Sequence, residues 1–269
     1  MGTRIEKKFE ELRKEGKKAF IPFIMAGDPD PDISCDLVLE LQKRGASIVE
    51  LGVPFSDPIA DGPVNQRAVL RALSQGISLP RILDMVGKIR EKSEIPIALM
   101  TYLNPVHRFG IHKFMKEAKA SGVDGLIVAD LPPEDARDLI EAGADEGVNT
   151  IFLLAPTSSD SRIKKVCEAS TGFIYYTSIT GVTGIRERLS EDLKPMISKI
   201  KGYTDKPISV GFGISTPDQA REVASIADGV IVGSAIVRVI EERIGKGDIV
   251  SAVGDFAESI SRAIREGIG

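Results

Sequence analysis

Ser121-Gly-Val-Asp-Gly-Leu-Ile-Val-Ala-Asp130 and Ser225-Ile-Ala-Asp-Gly-Val-Ile-Val-Gly-Ser234 match at five of ten positions. Each carries a short, continuously apolar run between a turn-forming Asp-Gly and a small or acidic residue. A strand with one wet face alternates apolar and polar residues; an unbroken run suits a parallel strand buried on both faces. Working outward, runs of this kind occupy residues 20–27, 47–54, 95–102, 125–132, 149–156, 172–179, 206–213 and 228–234, eight in all. Amphipathic segments of helical length separate them, at residues 31–44, 79–92, 111–120, 133–144, 160–169, 191–201 and 216–224. Residues 235–243 and 249–264 keep the same period. Asp30-Pro31, Pro132-Pro133 and Ser215-Thr216-Pro217 mark helix starts, and Gly45, Gly122 and Gly147 stand where helices should end. Eight strands alternating with helices is the count of a (β/α)8 barrel, which puts the two matching segments half a barrel apart. A doubly wound open sheet is the rival, but it normally needs fewer strands, and no G-x-G-x-x-G follows the first run. Ile5, Phe9 and Leu12 share one helical face and predict a short helix ahead of the first strand. No linker or shift of composition divides the chain. The expectation is therefore one domain over residues 1–269, a single TIM barrel with an extra N-terminal helix and an insertion after strand 2.

Composition narrows the function. The 269 residues are 42% hydrophobic and 28% charged, which suits a packed soluble core rather than a disordered chain. A net charge of -4 advertises no nucleic-acid footprint. No apolar run is long enough to span a membrane, and the longest, at residues 19–27, contains Pro22. Cys35 and Cys167 are the only cysteines and form no CxxC motif, so a reducing cytoplasm is the expected setting. His107 and His112 are the only histidines, in or near a loop, and supply a metal site poorly; surface positions are expected and no metal. No G-x-S-x-G nucleophile elbow is present. A Schiff-base barrel wants a lysine near the active end of a strand; strand six has none and Lys206 opens strand seven at the wrong end.

What remains is carboxylate chemistry. Glu50 lies inside Ser47-Ile-Val-Glu-Leu-Gly-Val53, where a charge is costly unless it is hydrogen-bonded or protonated. It reads either as a satisfied polar residue near a strand end or as a general acid/base whose pKa burial has raised. Asp57 and Asp61 lie in Pro54-Phe-Ser-Asp-Pro-Ile-Ala-Asp-Gly-Pro63, a rigid loop, and either could instead cap the helix that begins near Pro63. Gly211-Phe-Gly213 ends strand seven, and Gly233-Ser234 ends strand eight before a helix. Barrels often bind phosphate there, against backbone N–H groups that glycine leaves open; tight strand-to-helix turns are the alternative. Gly181-Val-Thr-Gly184 follows strand six and reads as a lid with glycine hinges or as a plain glycine-rich loop.

Phe23, Gly27-Asp28-Pro29, the fourteen residues Glu50 to Pro63, Gly181 to Gly184, Gly211-Phe-Gly-Ile214 and Gly233-Ser-Ala-Ile236 together resemble the tryptophan synthase alpha subunit family, nearly end to end. The resemblance implies retro-aldol cleavage of indole-3-glycerol phosphate to indole and glyceraldehyde 3-phosphate. It makes Glu50 the proton carrier and Asp61 the carboxylate that meets the indole N–H. It places Gly184, Gly213, Gly233 and Ser234 around the phosphate, Phe23, Tyr175 and Phe212 in the pocket wall, and Thr183 in the lid. It implies no cofactor on this chain and a beta subunit carrying pyridoxal phosphate, in an alpha2-beta2 heterotetramer, with Pro54, Asp57 and Asn104 near the contact. The chain departs from the family in having Ile179-Thr180 where many members carry an arginine before the lid, and in Met100-Thr-Tyr-Leu-Asn-Pro105. Competing readings are another phosphate-binding barrel, such as an isomerase, and a docking subunit without turnover. The two-carboxylate loop argues against the first, and retention of Glu50 and Asp61 against the second.

Overall fold

The computed structural model describes residues 2–177 and 189–266. Helix α1 (Arg4–Lys14) precedes β1 (Ala19–Met25), α2 (Pro31–Lys43) and β2 (Val49–Gly52). Helices α3 (Pro63–Ser74) and α4 (Leu79–Arg90) lead to β3 (Ile97–Thr101), then α5 (Leu103–Phe109) and α6 (Ile111–Ser121) to β4 (Gly125–Val128). Helix α7 (Arg137–Glu146) is followed by β5 (Asn149–Ile151), β6 (Leu153–Leu154), α8 (Asp160–Ala169) and β7 (Ile174–Thr177). The rest is α9 (Leu189–Lys201), β8 (Ile208–Gly211), α10 (Pro217–Ala224), β9 (Gly229–Val232), α11 (Ser234–Arg243) and α12 (Ile249–Glu266).

Every pairing is parallel, in the order β5-β4-β3-β2-β1-β9-β8-β7-β6. The two ends of that order are consecutive in the chain, with Phe152 alone between them, so the sheet closes into a barrel. The run predicted as one fifth strand is thus two pieces, one pairing with β4 and the other with β7. The Asn149 N–H donates to the Asp124 carbonyl at 2.9 Å, and the Phe152 carbonyl accepts from the Tyr175 N–H at 3.2 Å. Eight staves therefore appear as nine hydrogen-bonded segments among the described residues.

Side-chain period two sorts the core into two layers. Inside the barrel lie Ala19, Ile21, Ile48, Ala98, Ile127, Ile151, Phe173, Tyr175 and Ile231. Alternate residues such as Phe20, Val49, Leu51, Leu99 and Val210 face the surrounding helices. Helix α1 closes the N-terminal end of the barrel. Its Ile5 and Phe9 are buried in the inner layer, with the Phe9 and Phe173 rings 5.6 Å apart. Asn149 and Asp124 are paired at this end. Asn149 accepts from the Thr3 hydroxyl and donates to Glu6 at 3.1 Å, while Thr3 caps α1. The buried Asp124 accepts from Arg4 at 3.1 Å, from Arg90 at 2.9 Å and from the Ile97 N–H at 2.9 Å. Lys206 also serves here, donating to the carbonyls of Cys167 and Ser170 at the end of α8.

Local chemistry explains the departures. Pro132-Pro133 opens a 3-10 turn, Pro133–Asp135, and α7 follows from Arg137. Helix α5 was not expected; it spans seven residues and includes Pro105. His107 and His112 consequently sit on α5 and α6 rather than in a loop, both exposed. Gly122 and Gly147 end their helices in the left-handed conformation, at φ 95° and 67°. None of the described helices is long and apolar enough to cross a membrane.

Candidate active site

Glu50 is the central residue of the C-terminal mouth. Strand β2 pairs with β1 and β3, so Phe23, Glu50 and Ala98 stand side by side in register. The inward period that puts Ile48 in the inner layer also points Glu50 and Gly52 inward. Glu50 is 1% exposed, and neither carboxyl oxygen has a hydrogen-bond partner among the described residues. The satisfied-core reading of this residue is therefore overturned. Burial, reinforced by the charge of Asp61, pushes its pKa up to about 8. At neutral pH it is a protonated acid without a partner.

Asp61 reaches the mouth from the loop after β2. The Val53 N–H donates to the Met100 carbonyl at 2.8 Å, which ties the loop to β3. The Asp61 N–H turns back to the Pro58 carbonyl at 3.0 Å. Helix α3 is capped by Gly62 with no side-chain hydrogen bond, so neither Asp57 nor Asp61 caps it. The Asp61 carboxylate instead accepts from the Tyr102 hydroxyl at 2.8 Å, and from Asn65 at 3.4 Å. The same Tyr102 oxygen accepts the Ala60 N–H at 3.0 Å, so one phenol holds both the loop backbone and the carboxylate. Burial raises the Asp61 pKa, and the bonds from Tyr102 and Asn65 oppose that rise. Burial and the Asp61 charge push the Tyr102 phenol well above its ordinary value, so it stays a donor.

Beside Asp61 lies a cleft lined by Phe23, Met25, Gly52, Val53, Ala60, Met100, Thr101, Tyr102 and Ala129. Among the described residues, Asp61 is its only charged lining residue. Gly52 is required here, because a Cβ at that position would fall 2.7 Å from the Phe23 ring. Phe23 is buried and also neighbours Gly233, so it connects this cleft to the end of β9. Tyr175 is buried in the inner layer; burial and then the charges of Glu50 and Asp61 raise its phenol pKa. All three groups therefore share one interior.

The opposite side of the mouth is built from backbone. Gly213 is exposed at φ 67°, with nothing within 4 Å of where a Cβ would stand. Phe212 packs on Tyr176 with ring centroids 5.3 Å apart. Gly233 precedes α11 as an N-cap without a side-chain hydrogen bond, and Ser234 is its first residue. This leaves a helix N-terminus suited to an anion. Thr183 and Gly184, with the rest of Gly181 to Gly184, lie outside the described residues. On the outer rim, Pro54 is buried while Asp57 and Asn104 are exposed, and Ile59, in the loop after β2, is 82% exposed. Among the described residues no three His, Cys, Asp or Glu side chains converge as a metal set. The sequence reading missed Tyr102 and Asn65. Tyr102 was accessible in principle, standing two residues after Met100 on the inward face of a strand end.

A closed parallel barrel with a protonated buried carboxyl and a second carboxylate at its C-terminal mouth defines an acid/base barrel enzyme. The family model described as tryptophan synthase alpha chain matches residues 9–264. The tryptophan synthase alpha chain of Geobacter sp. (strain M21) is 46% identical over 265 residues, covering 98% of this chain and 99% of that relative. That of Thermoanaerobacter sp. (strain X514) is 46% identical over 97% of this chain and 100% of its own length. The crystal structure of tryptophan synthase subunit alpha from Legionella pneumophila str. Paris superposes with a TM-score of 0.93 at 39% identity, covering 99% of this chain and 100% of that one. The chain belongs to the tryptophan synthase alpha chain family. Members are lyases of tryptophan biosynthesis that cleave indole-3-glycerol phosphate, and the family implies a beta-subunit partner.

Proposed function

We propose that this chain cleaves indole-3-glycerol phosphate by a retro-aldol step run by Glu50 and Asp61. The observation that carries it is the buried, unpartnered Glu50 carboxyl, protonated at neutral pH beside a second carboxylate. Glu50 gives its proton to the ring carbon that bears the side chain, leaving positive charge on the indole nitrogen. Asp61 accepts the indole N–H and offsets that charge. The Glu50 carboxylate then takes the proton of the adjacent side-chain hydroxyl. The carbon–carbon bond breaks, its electrons return to the ring, and indole and glyceraldehyde 3-phosphate result with Glu50 protonated again. No electron-sink lysine is needed, because the protonated indole is itself the sink.

Phe23, Tyr175 and Phe212 wall the pocket, while Gly213, Gly233 and Ser234 receive the phosphate with Gly184; Thr183 belongs to the lid. The chain itself uses no cofactor or metal. Pro54, Asp57 and Asn104 face a beta subunit that carries pyridoxal phosphate, in an alpha2-beta2 heterotetramer that receives the indole. Two free thiols, Cys35 and Cys167, support a cytoplasmic setting. The test is indole release from indole-3-glycerol phosphate, by the parent and by Glu50→Gln, with and without the beta subunit. Release that the partner accelerates and the variant loses supports the reading. Turnover by Glu50→Gln near the parent's would remove Glu50 from the mechanism.

A further inference from the structure

The substrate proposed above has two ends, and the groups that would meet them hang on two different helices. Asp61 immediately precedes Gly62, the N-cap of α3; Gly233 and Ser234 begin α11. Both helices start at the mouth and pack against each other. At the mouth Tyr102 ties Asp61 and the loop before α3 to the end of β3; a direct tie from α3 to α11 would fix how far one helix slides past the other. Arg71 does so from below. Its guanidinium grips Asp28 with two bonds, 2.7 and 2.9 Å, and Glu241 with a third at 2.7 Å. Asp28 is fully buried at the exit of β1, Arg71 is the ninth residue of α3, and Glu241 is the eighth of α11. Arg67, one turn earlier on α3, adds two bonds of 2.7 Å to the same Glu241 carboxylate. A planar fork that holds two carboxylates in fixed directions resists sliding in a way that apolar packing does not.

We infer that Arg71, with Glu241 and Arg67, is a positioning device that sets the axial register of α3 against α11, and so the span between the Asp61 carboxylate and the phosphate end of the mouth. This rests on the function proposed above. It predicts a loss felt only by a ligand that engages both ends at once. Glu241→Ala removes the strap to α11 and leaves the Asp28–Arg71 pair, so the buried carboxylate keeps its partner. In the complex with the beta subunit, kcat/KM for indole-3-glycerol phosphate should fall about tenfold, mainly through KM. Calorimetric Kd values for glycerol 3-phosphate alone and for indole alone should stay within about twofold of the parent. Glu241→Gln, which keeps an acceptor oxygen without the charge, should lose about threefold in kcat/KM, and carries the test if Glu241→Ala does not fold. An unchanged kcat/KM, or an equal loss of affinity for the separate fragments, would overturn the register role. Failure of the parent itself to release indole would instead overturn the function on which it rests.

Discussion

The two ends of the barrel use the same materials in opposite ways. At the N-terminal end Asp124 is 2% exposed and accepts from Arg4, Arg90 and the Ile97 N–H. At the C-terminal end Glu50 is 1% exposed and neither of its oxygens has a partner among the described residues. One buried carboxylate is fully paired, a joint between α1, α4 and the sheet. The other is held neutral, its proton available. Burial alone does not distinguish structure from chemistry; pairing does. Glu50 itself has no hydrogen bond to the described residues, so the apolar layers around its strand must hold it in place.

The largest break in this comparison comes from Glu50→Gln. Turnover should fall at least about a thousandfold, since the amide carries no transferable proton. Stability should move the other way. The carboxyl keeps its proton up to about pH 8 when folded, but loses it near its ordinary value when unfolded. Between those values the folded state binds more protons, so the residue costs increasing stability as pH rises. Thermal melting of Glu50→Gln should therefore match the parent near pH 4.5 and exceed it by several degrees at pH 8. An equal melting point at both pH values would show that the carboxyl is not buried neutral. For the same reason, activity of the parent should decline as pH rises through about 8, where the acid is lost.

Asp124→Ala probes the opposite end. It strands Arg90 and the Ile97 N–H, and should cost about 3–5 kcal/mol by chemical denaturation. KM for the fraction still folded should not change, because this cluster lies at the end of the barrel opposite the mouth. Asp61→Asn should lower kcat about a hundredfold, since an amide can accept a hydrogen bond but cannot offset charge on the ring. Unchanged kinetics would remove its electrostatic role. The smallest effect belongs to Tyr102→Phe. It frees one Asp61 oxygen and the Ala60 N–H, and should lower kcat about tenfold with little change in melting temperature. A normal rate would show that the loop backbone holds Asp61 without the phenol.

Reading the sequence located the strands because each is a short apolar run, and singled out Glu50 because it interrupts one of them. It missed the division at Phe152, since residues 149–156 contain no glycine and no proline before Pro156 to mark a change of pairing partner. It kept open the capping role of Asp57 and Asp61, which only the geometry at Gly62 removed. It also left Tyr102 out of the site, because the hydroxyl meets a carboxylate 41 residues away in the chain.

By itself, then, the sequence determined the eight-fold alternation, the place of Glu50 within a buried strand and the glycines that end strands seven and eight. Each of these is local, following from period, burial cost or backbone freedom within a few residues. Only the tertiary structure decided which carboxyl went unpaired, which phenol aims Asp61, and that Arg71 joins Asp28 to Glu241, 170 positions from it. Those outcomes depend on closing the barrel, which brings distant side chains to within hydrogen-bond reach and excludes the water that would otherwise have satisfied them.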